Sequence, residues 1–385
     1  MLATITLPRI LRLGAGASAE LAVTLDQLGL VKPLFVTDAF IRACDFFEPI
    51  VASVATVDLS RDVFSGCVPD PTTDSVRAGL QHLALAPYDS IVAIGGGSSI
   101  DTAKAMAAMQ GRAEPMRRYK VPYQIDTGLP VVVIPTTAGT GSEATRVAVI
   151  TDTETQEKML WNGLALMPVA ALVDYELTLG MPYRLTADTG LDTLCHALEA
   201  YVSRKANQFT DPIALDAMRA VVEFLPRACR DPGDRIAREA MMCAATQGGM
   251  AFANASVTLI HGMSRPIGAH YHVPHGMSNA MLLPTVTAWS VSGAPDRYAV
   301  AARHMGFADA ESSDEAACQS LVHGLRTLCS ELDVPTPKSY GIDQVRWFDS
   351  IAIMAEQALA SGSPNNNPLI PTADDIASLY REVWC

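Results

Sequence analysis

The stretch "IVAIGGGSSIDTAKA" (residues 91–105) joins an apolar, β-branched run to a helix-forming segment through three consecutive glycines. The run is typical of a buried strand, and the alanine-rich segment is typical of a helix. The glycines at 95–97 allow a tight turn and a close approach of the backbone to a ligand. Ser98 and Ser99 could cap the helix, whose free N–H groups favour an anion. The stretch is therefore either a plain strand-to-helix turn or a turn that binds phosphate.

The same alternation extends over the first half of the chain. Apolar runs predict strands at PLFVTD (33–38), VATVDL (54–59), SIVAIGGG (90–97) and PVVVIPTT (130–137). Helical spacing is found in SVRAGLQHLAL (75–85) and SIDTAKAMAAM (99–109). Strands that alternate with helices predict a parallel sheet with helices on both faces.

Beyond Pro182 the sequence changes in character. It becomes rich in Ala, Leu and Met, has few β-branched runs, and indicates successive helices separated by Pro and Gly. A chain of 385 residues is expected to form two compact domains. We therefore expect an α/β domain over residues 1–182 and an all-α domain over residues 183–385.

Composition restricts the class of protein and its partners. Apolar residues make up 49% and charged residues 18%, so a large core is expected. The formal net charge of −13 argues against nucleic acid or an anionic membrane as the main partner. The sequence shows neither an uninterrupted apolar run of membrane-spanning length nor a signal peptide. The eight cysteines include no CxxC pair. They are typical of free thiols in a cytoplasmic protein.

A second polar turn follows a later apolar run. "IPTTAGTGSEAT" (134–145) is rich in hydroxyls and small side chains, and it is either a plain polar loop or a second ligand-binding turn. Asp38 ends an earlier predicted strand, where a carboxylate can bind a ribose diol, although a plain turn residue is the alternative. Because the carboxyl ends of parallel strands meet at one edge, these features together favour a nucleotide site.

Histidines cluster in the second half. "HGMSRPIGAHYHVPHG" (261–276) contains four of the eight histidines, and Pro274 could begin a new helix with His275 in its first turn. In "GLDTLCHALEAY", Asp192 and His196 are four residues apart and hence on one helix face. With His261 and His275 they would provide one carboxylate and three imidazoles, a set that suits Fe(II) or Zn(II). Buried histidines with purely structural hydrogen bonds are the alternative.

The chain resembles the iron-containing alcohol dehydrogenase family, which includes lactaldehyde reductases and 1,3-propanediol dehydrogenases. The resemblance runs from PLFVTD through GGGSSID, PTTAGTGSE, DTLCHALEAY and HGM…VPHG to NPLIPTADDIASLYREVW. It implies an N-terminal α/β dinucleotide-binding domain, a helical metal-binding domain, and a homodimer or larger homo-oligomer. The implied metal ligands are Asp192, His196, His261 and His275. The implied cofactor contacts are Asp38, Gly96, Gly97, Ser98, Asp101, Thr136, Thr137, Thr140 and Lys158.

The resemblance also implies the chemistry. A hydride would pass between NAD(H) and a short primary alcohol or its aldehyde, with Fe(II), or else Zn(II), acting on the substrate oxygen. Asp38 would favour NAD over NADP. Two alternatives stay open: a hydroxyacid–oxoacid transhydrogenase, and a lyase similar to dehydroquinate synthase.

One position departs from the family pattern. Many relatives carry a histidine four residues after the first histidine of HGM, where this chain has Arg265. Arginine stays protonated and cannot shuttle a proton, so His270 or His272 could take that role, or protons could leave through water and the cofactor ribose. Arg265 would then either bind an anionic group of the cofactor or substrate, or form a structural ion pair.

Overall fold

The computed structural model describes residues 2–55, 57–155 and 157–385. The chain forms two compact units, Ile5–Gly180 and a second that consists mainly of Met181–Cys385.

The first unit contains eight strands within its described residues. These are β1 Ile10–Leu13, β2 Pro33–Asp38, β3 Val63–Cys67, β4 Ser90–Gly95, β5 Val131–Pro135, β6 Val147–Thr151, β7 Lys158–Asn162 and β8 Ala170–Val173. Its helices are α1 Leu21–Leu28, α2 Ala39–Arg42, α3 Phe47–Ala52, α4 Thr73–Leu83 and α5 Gly97–Met109.

Six of the strands form one sheet in the order β1-β8-β5-β4-β2-β3, and every pair in it is parallel. Strands β6 and β7 form a separate antiparallel pair. The central strands β2, β4 and β5 are buried along almost their whole length, which explains their continuous apolar runs. The strands predicted at 33–38, 90–97 and 130–137 and the helices predicted at 75–85 and 99–109 are confirmed.

The strand predicted at VATVDL (54–59) is wrong. Of its described residues none belongs to a strand, and β3 begins at Val63 instead. Val54, Val57 and Leu59 pack against the hydrophobic core from an irregular segment, so their apolar character reflects burial without strand pairing.

The order of the strands locates a candidate ligand site. From β2 the chain moves outward to β3, and it then returns to the other side of β2 to form β4. In open parallel sheets, ligands bind outside the carboxyl ends of the strands at such a reversal. Asp38 at the end of β2 and Gly95 at the end of β4 therefore border the expected crevice.

Residues 181–385, all of which the structure describes, contain no strand, which confirms the prediction that the C-terminal half is helical. Their helices are α6 Tyr183–Val202, α7 Thr210–Arg230, α8 Arg235–Ala255, α9 Leu259–Tyr271, α10 His275–Ser290, α11 Pro295–His304, α12 Asp314–Glu331, α13 Pro337–Tyr340, α14 Gln344–Ala360 and α15 Ala373–Glu382. The largely buried helix α6 packs against α7, α8 and α10. Among the helices described, none combines the length and apolar character needed to span a bilayer.

Candidate metal centre and cofactor-binding turns

Four side chains from three helices meet in the second unit. Asp192 and His196 lie one turn apart on α6, while His261 lies on α9 and His275 begins α10. Their candidate ligand atoms all lie within 4.8 Å of one another. Asp192 Oδ1 is 3.5 Å from His261 Nε2 and 3.8 Å from Nε2 of both other histidines. Ligands about 2.1 Å from a tetrahedral metal are about 3.4 Å apart, so this spacing suits a single ion.

The connection between α9 and α10 brings His275 back to His261. His272 ends α9 in the left-handed conformation, with φ of 55°, and the extended Pro274 precedes the first turn of α10. The rings of His261 and His275 then meet edge to face at 5.3 Å, and His261 stacks on His196 at 4.5 Å. The helix predicted to begin at Pro274 is present, and it begins one residue later, at His275.

Glu199 is a member of the site that the sequence reasoning missed. Its Oε2 lies 2.5 Å from His261 Nδ1, and its Oε1 accepts hydrogen bonds from Thr258 Oγ1 and the Ile260 backbone N–H at 2.7 and 2.6 Å. A carboxylate on Nδ1 fixes the proton there and leaves the Nε2 lone pair for a metal. The available signal was spacing, because Glu199 follows Asp192 by seven residues, two turns along one face of α6.

Asn279 was also missed, although it follows His275 by one turn of α10. Its Nδ2 lies 2.6 Å from Asp192 Oδ1, 3.1 Å from His261 Nε2 and 3.3 Å from His275 Nε2. These three atoms, one carboxylate oxygen and two ring nitrogens, therefore converge on one small region, as the ligands of a single cation would.

The electrostatics of the cluster suit the binding of a cation. Burial, together with His261 and His275, lowers the pKa of His196 to about 3, although Asp192 opposes the shift. His196 is therefore neutral and can ligate. Burial opposes ionisation of Asp192, but the three imidazoles outweigh it and lower the pKa of this carboxyl group. Burial likewise disfavours protonation of His261, yet Glu199 and Asp192 raise its pKa to about 9, so a metal ion bound at Nε2 would displace a proton from this ring.

Phe252 covers one side of the cluster. Its ring stacks on His196 with centroids 4.3 Å apart and an interplanar angle of 19°. The buried Nδ1 of His196 has no hydrogen-bond partner among the described residues. His196 is therefore held by stacking, whereas His261 is held by a carboxylate.

Arg265 and His270 lie on different faces of α9. At about 100° per residue, Arg265 comes back to the face of His261, while His270 is rotated by about half a turn. His270 Nε2 accordingly lies 2.9 Å from Gln357 Oε1 on α14. His272 is exposed at the end of the helix. Neither contacts the four-residue cluster among the described residues, which argues against the expectation that one of them carries the proton.

In the first unit, the glycine turn passes directly into α5. Gly95 has a positive φ of 155°, Gly96 is extended, and the helix begins at Gly97. No side chain caps α5, so the expectation that Ser98 or Ser99 caps it is wrong. Because both serines already lie inside the first turn, the helix presents uncapped N–H groups, the arrangement that binds phosphate.

The two predicted turns pack against each other. A Cβ atom on Gly96 would lie 3.2 Å from Thr137 Cγ2, and one on Gly97 would lie 2.8 Å from Thr140 Cγ2. The Thr136 N–H donates to the carbonyl of the first glycine of the turn at 3.0 Å. The absence of side chains at 96 and 97 therefore lets the threonine turn approach the start of α5.

Asp38 borders the glycine turn from β2. Its Oδ1 accepts a hydrogen bond from the Ile41 N–H at 2.9 Å and so caps α2, while its Oδ2 accepts one from Ser99 Oγ at 3.1 Å. Asp38 therefore caps α2, as a plain turn residue would, and it also lies beside the glycine turn.

Asp101 and Lys158 are already engaged within the protein. Asp101 accepts hydrogen bonds from Ser142 Oγ and the Val149 N–H at 2.8 and 2.9 Å. Both its oxygens hold the second turn and β6, and its expected contact with the cofactor stays a prediction. Lys158 Nζ lies 3.0 Å from Asp70 Oδ1.

Lys104 is a third residue that the sequence reasoning missed. Its buried Nζ donates to Ser142 O and Oγ, Thr145 O and Oγ1, and Val147 O, at 2.7 to 3.2 Å. Burial lowers its pKa to about 8, although Asp101 and Glu143 oppose the shift. The sequence signal for this role was a single lysine among the apolar residues of α5. This ammonium group ties the end of the threonine turn to the helix that follows the glycine turn.

Comparison with known proteins gives a consistent result for both units. The family model "Iron-containing alcohol dehydrogenase" matches residues 8–175, and "Fe-containing alcohol dehydrogenase family, C-terminal" matches residues 186–384. The NAD-dependent methanol dehydrogenase of Bacillus methanolicus is 35% identical over 370 residues, covering 96% of each chain.

Solved structures agree with these matches. A 1,3-propanediol oxidoreductase superposes with a TM-score of 0.93 at 30% identity, covering all of both chains. The sulfoacetaldehyde reductase of Bifidobacterium kashiwanohense, in complex with NAD+, has a TM-score of 0.89 at 27% identity and covers 100% and 99% of the two chains.

Proposed function

The chain belongs to the iron-containing alcohol dehydrogenase family, and from that premise we propose that it exchanges a hydride between NAD(H) and a short primary alcohol or its aldehyde. The observation that carries the proposal is the convergence of one carboxylate and three imidazoles within 4.8 Å. The methanol, 1,3-propanediol and sulfoacetaldehyde enzymes to which the chain is similar support a short substrate.

Asp192, His196, His261 and His275 would hold the divalent metal, with Fe(II) favoured by the family and Zn(II) equally compatible with the donor set. When bound, the ion supplies Lewis acidity at the substrate oxygen. Neighbouring side chains would hold and shield these ligands. Glu199 keeps the proton of His261 on Nδ1 at 2.5 Å. Phe252 stacks on His196 and keeps water from that face of the ring.

The turns of the first unit would hold NAD(H), which supplies the hydride acceptor or donor. The uncapped first turn of α5 offers N–H groups for the pyrophosphate, and Gly96 and Gly97 let it approach the backbone. Ser98, Thr136, Thr137, Thr140 and Lys158 remain proposed contacts. Asp38 would bind a ribose diol and disfavour a 2′-phosphate, and the NAD-dependent and NAD+-bound relatives support that preference.

We also propose a reducing, cytoplasmic location and a homo-oligomeric state. The cysteines are free thiols, which supports a reducing compartment. Light scattering of the purified protein tests the oligomeric state, and a mass equal to one chain would contradict it.

The test of the function is NADH absorbance at 340 nm. Metal-stripped protein is supplied anaerobically with Fe(II) or Zn(II) and offered short aldehydes with NADH, or short alcohols and diols with NAD+. We expect turnover that requires both the metal and added nucleotide. His275→Ala should reduce the rate by at least about a hundredfold, because one of four ligands is lost. His270→Ala is the matched control, since that ring contacts Gln357 instead, and it should keep most of the rate. Equal losses in the two variants would contradict the assignment.

A further inference from the structure

We propose that Arg265 forms an anion subsite next to the metal centre, binding an oxyanion of the ligand: a carboxylate-type group on the substrate or a phosphate of the cofactor. This inference rests on the proposed function and narrows its substrate class.

The position of Arg265 follows from helix geometry. It is four residues after His261 on α9, and residues at that spacing lie on one face with Cβ atoms about 5–6 Å apart. The side chain is only partly buried, so a ligand can reach it. An arginine on that face can bind a second group of a substrate whose oxygen is held at the metal centre.

The guanidinium of Arg265 differs from its counterparts in having no hydrogen-bond partner. The other arginines of residues 181–385 that are at least partly buried each donate to a carboxylate, hydroxyl or carbonyl; they are Arg184, Arg227, Arg238, Arg297 and Arg303. No described residue accepts a hydrogen bond from Arg265. Its five donors are thus available for a planar oxyanion, which the guanidinium fork matches in geometry.

A structural ion pair does not account for this arginine. The acidic group whose charge acts on it is Glu199, and burial lowers the pKa of Arg265 while Glu199 opposes that shift. Both Glu199 oxygens are already occupied, one by His261 and the other by Thr258 and Ile260. Glu199 therefore balances the charge of Arg265 without satisfying its donors, and an incoming oxyanion would satisfy them.

The test compares two aldehydes of equal chain length, butanal and 4-oxobutanoate. In the metal-loaded enzyme, if the substrate supplies the oxyanion, Arg265→Met should lower kcat/KM for 4-oxobutanoate at least tenfold more than for butanal, as expected for loss of a charge-assisted hydrogen bond. Arg265→Lys keeps the charge without the fork and should recover part of that loss. Arg230→Met removes an exposed arginine from the same unit and should change neither substrate. Thermal unfolding of each variant establishes that it is folded.

A binding measurement separates the two sources of the anion. Affinity for NADH is measured by fluorescence. Affinity for butanoate against its neutral analogue butanamide is measured by calorimetry with NADH present. If the substrate supplies the oxyanion, Arg265→Met weakens butanoate binding alone. If the cofactor supplies it, the variant weakens NADH binding and slows both aldehydes together.

The proposal is overturned if NADH and butanoate bind Arg265→Met as tightly as the wild type, whether both aldehydes are slowed equally or neither is slowed. That failure is distinct from failure of the proposed function, in which the wild-type enzyme would reduce neither aldehyde.

Discussion

The two best-buried histidines of the metal centre are held by different means. His261 donates Nδ1–H to Glu199, whereas His196 stacks on Phe252 and its Nδ1 has no partner among the described residues. The i,i+4 spacing of Asp192 and His196 could be predicted from sequence. Their meeting with His261 and His275 was implied by the resemblance to the family, but spacing alone left it open, because it depends on how α6, α9 and α10 pack. The separation of His270 from His261 was predictable, since nine residues at about 100° each reverse the helix face.

The role of Glu199 leads to a prediction about metal affinity. Glu199→Gln removes the negative charge that orients and polarises His261, so we expect metal binding to weaken by about 10- to 100-fold. Competition with a chromophoric chelator measures the change. Glu223→Gln, on the exposed side of α7, is the matched control and should bind metal as the wild type does. An unchanged affinity in Glu199→Gln would mean that the hydrogen bond to His261 does not support the site.

At the scale of elements, the unit formed by β4, the glycine turn and α5 depends on positions that carry no side chain. The sequence predicted this unit and the second turn, because glycine and threonine runs follow apolar strands. It could not predict that Gly97 and Thr140 approach so closely that a Cβ would be 2.8 Å from Cγ2. It also missed Lys104, whose ammonium group holds Ser142, Thr145 and Val147. Contacts between turns from different strands have no local sequence signal.

This close contact predicts a cofactor-binding defect that a second substitution repairs. Gly97→Ala should push the threonine turn away from α5 and weaken NADH binding by about tenfold, since overpacking of this kind costs about 1–3 kcal/mol. Adding Thr140→Ser removes the clashing methyl group and should restore most of the affinity. Gly180→Ala is the control, because a Cβ there meets no atom within 4 Å. Fluorescence titration with NADH measures all three. A double variant as weak as Gly97→Ala would show that the steric contact is not the cause.

At the scale of the whole molecule, composition and periodicity predicted an α/β domain followed by an all-α domain. Strands buried on both faces need continuous β-branched runs, while the helical half is built from Ala, Leu and Met. The order of the strands was not predictable. Parallel pairing places Ile10 opposite Ala170, and that choice depends on contacts between segments far apart in the chain. The wrong strand prediction at VATVDL has a related origin, because core packing and strand pairing both favour the same apolar residues.

The central claim is that one metal ion in the Asp192, His196, His261 and His275 cluster is required for hydride exchange with NAD(H). It is tested most directly by titrating metal-free protein with Fe(II) under anaerobic conditions. Bound iron and the initial rate of NADH oxidation with butanal are measured in the same samples. The account predicts that both saturate together at about one ion per chain, as a single four-ligand site requires. A full rate in the metal-free protein, or a rate that does not follow bound iron, would contradict it.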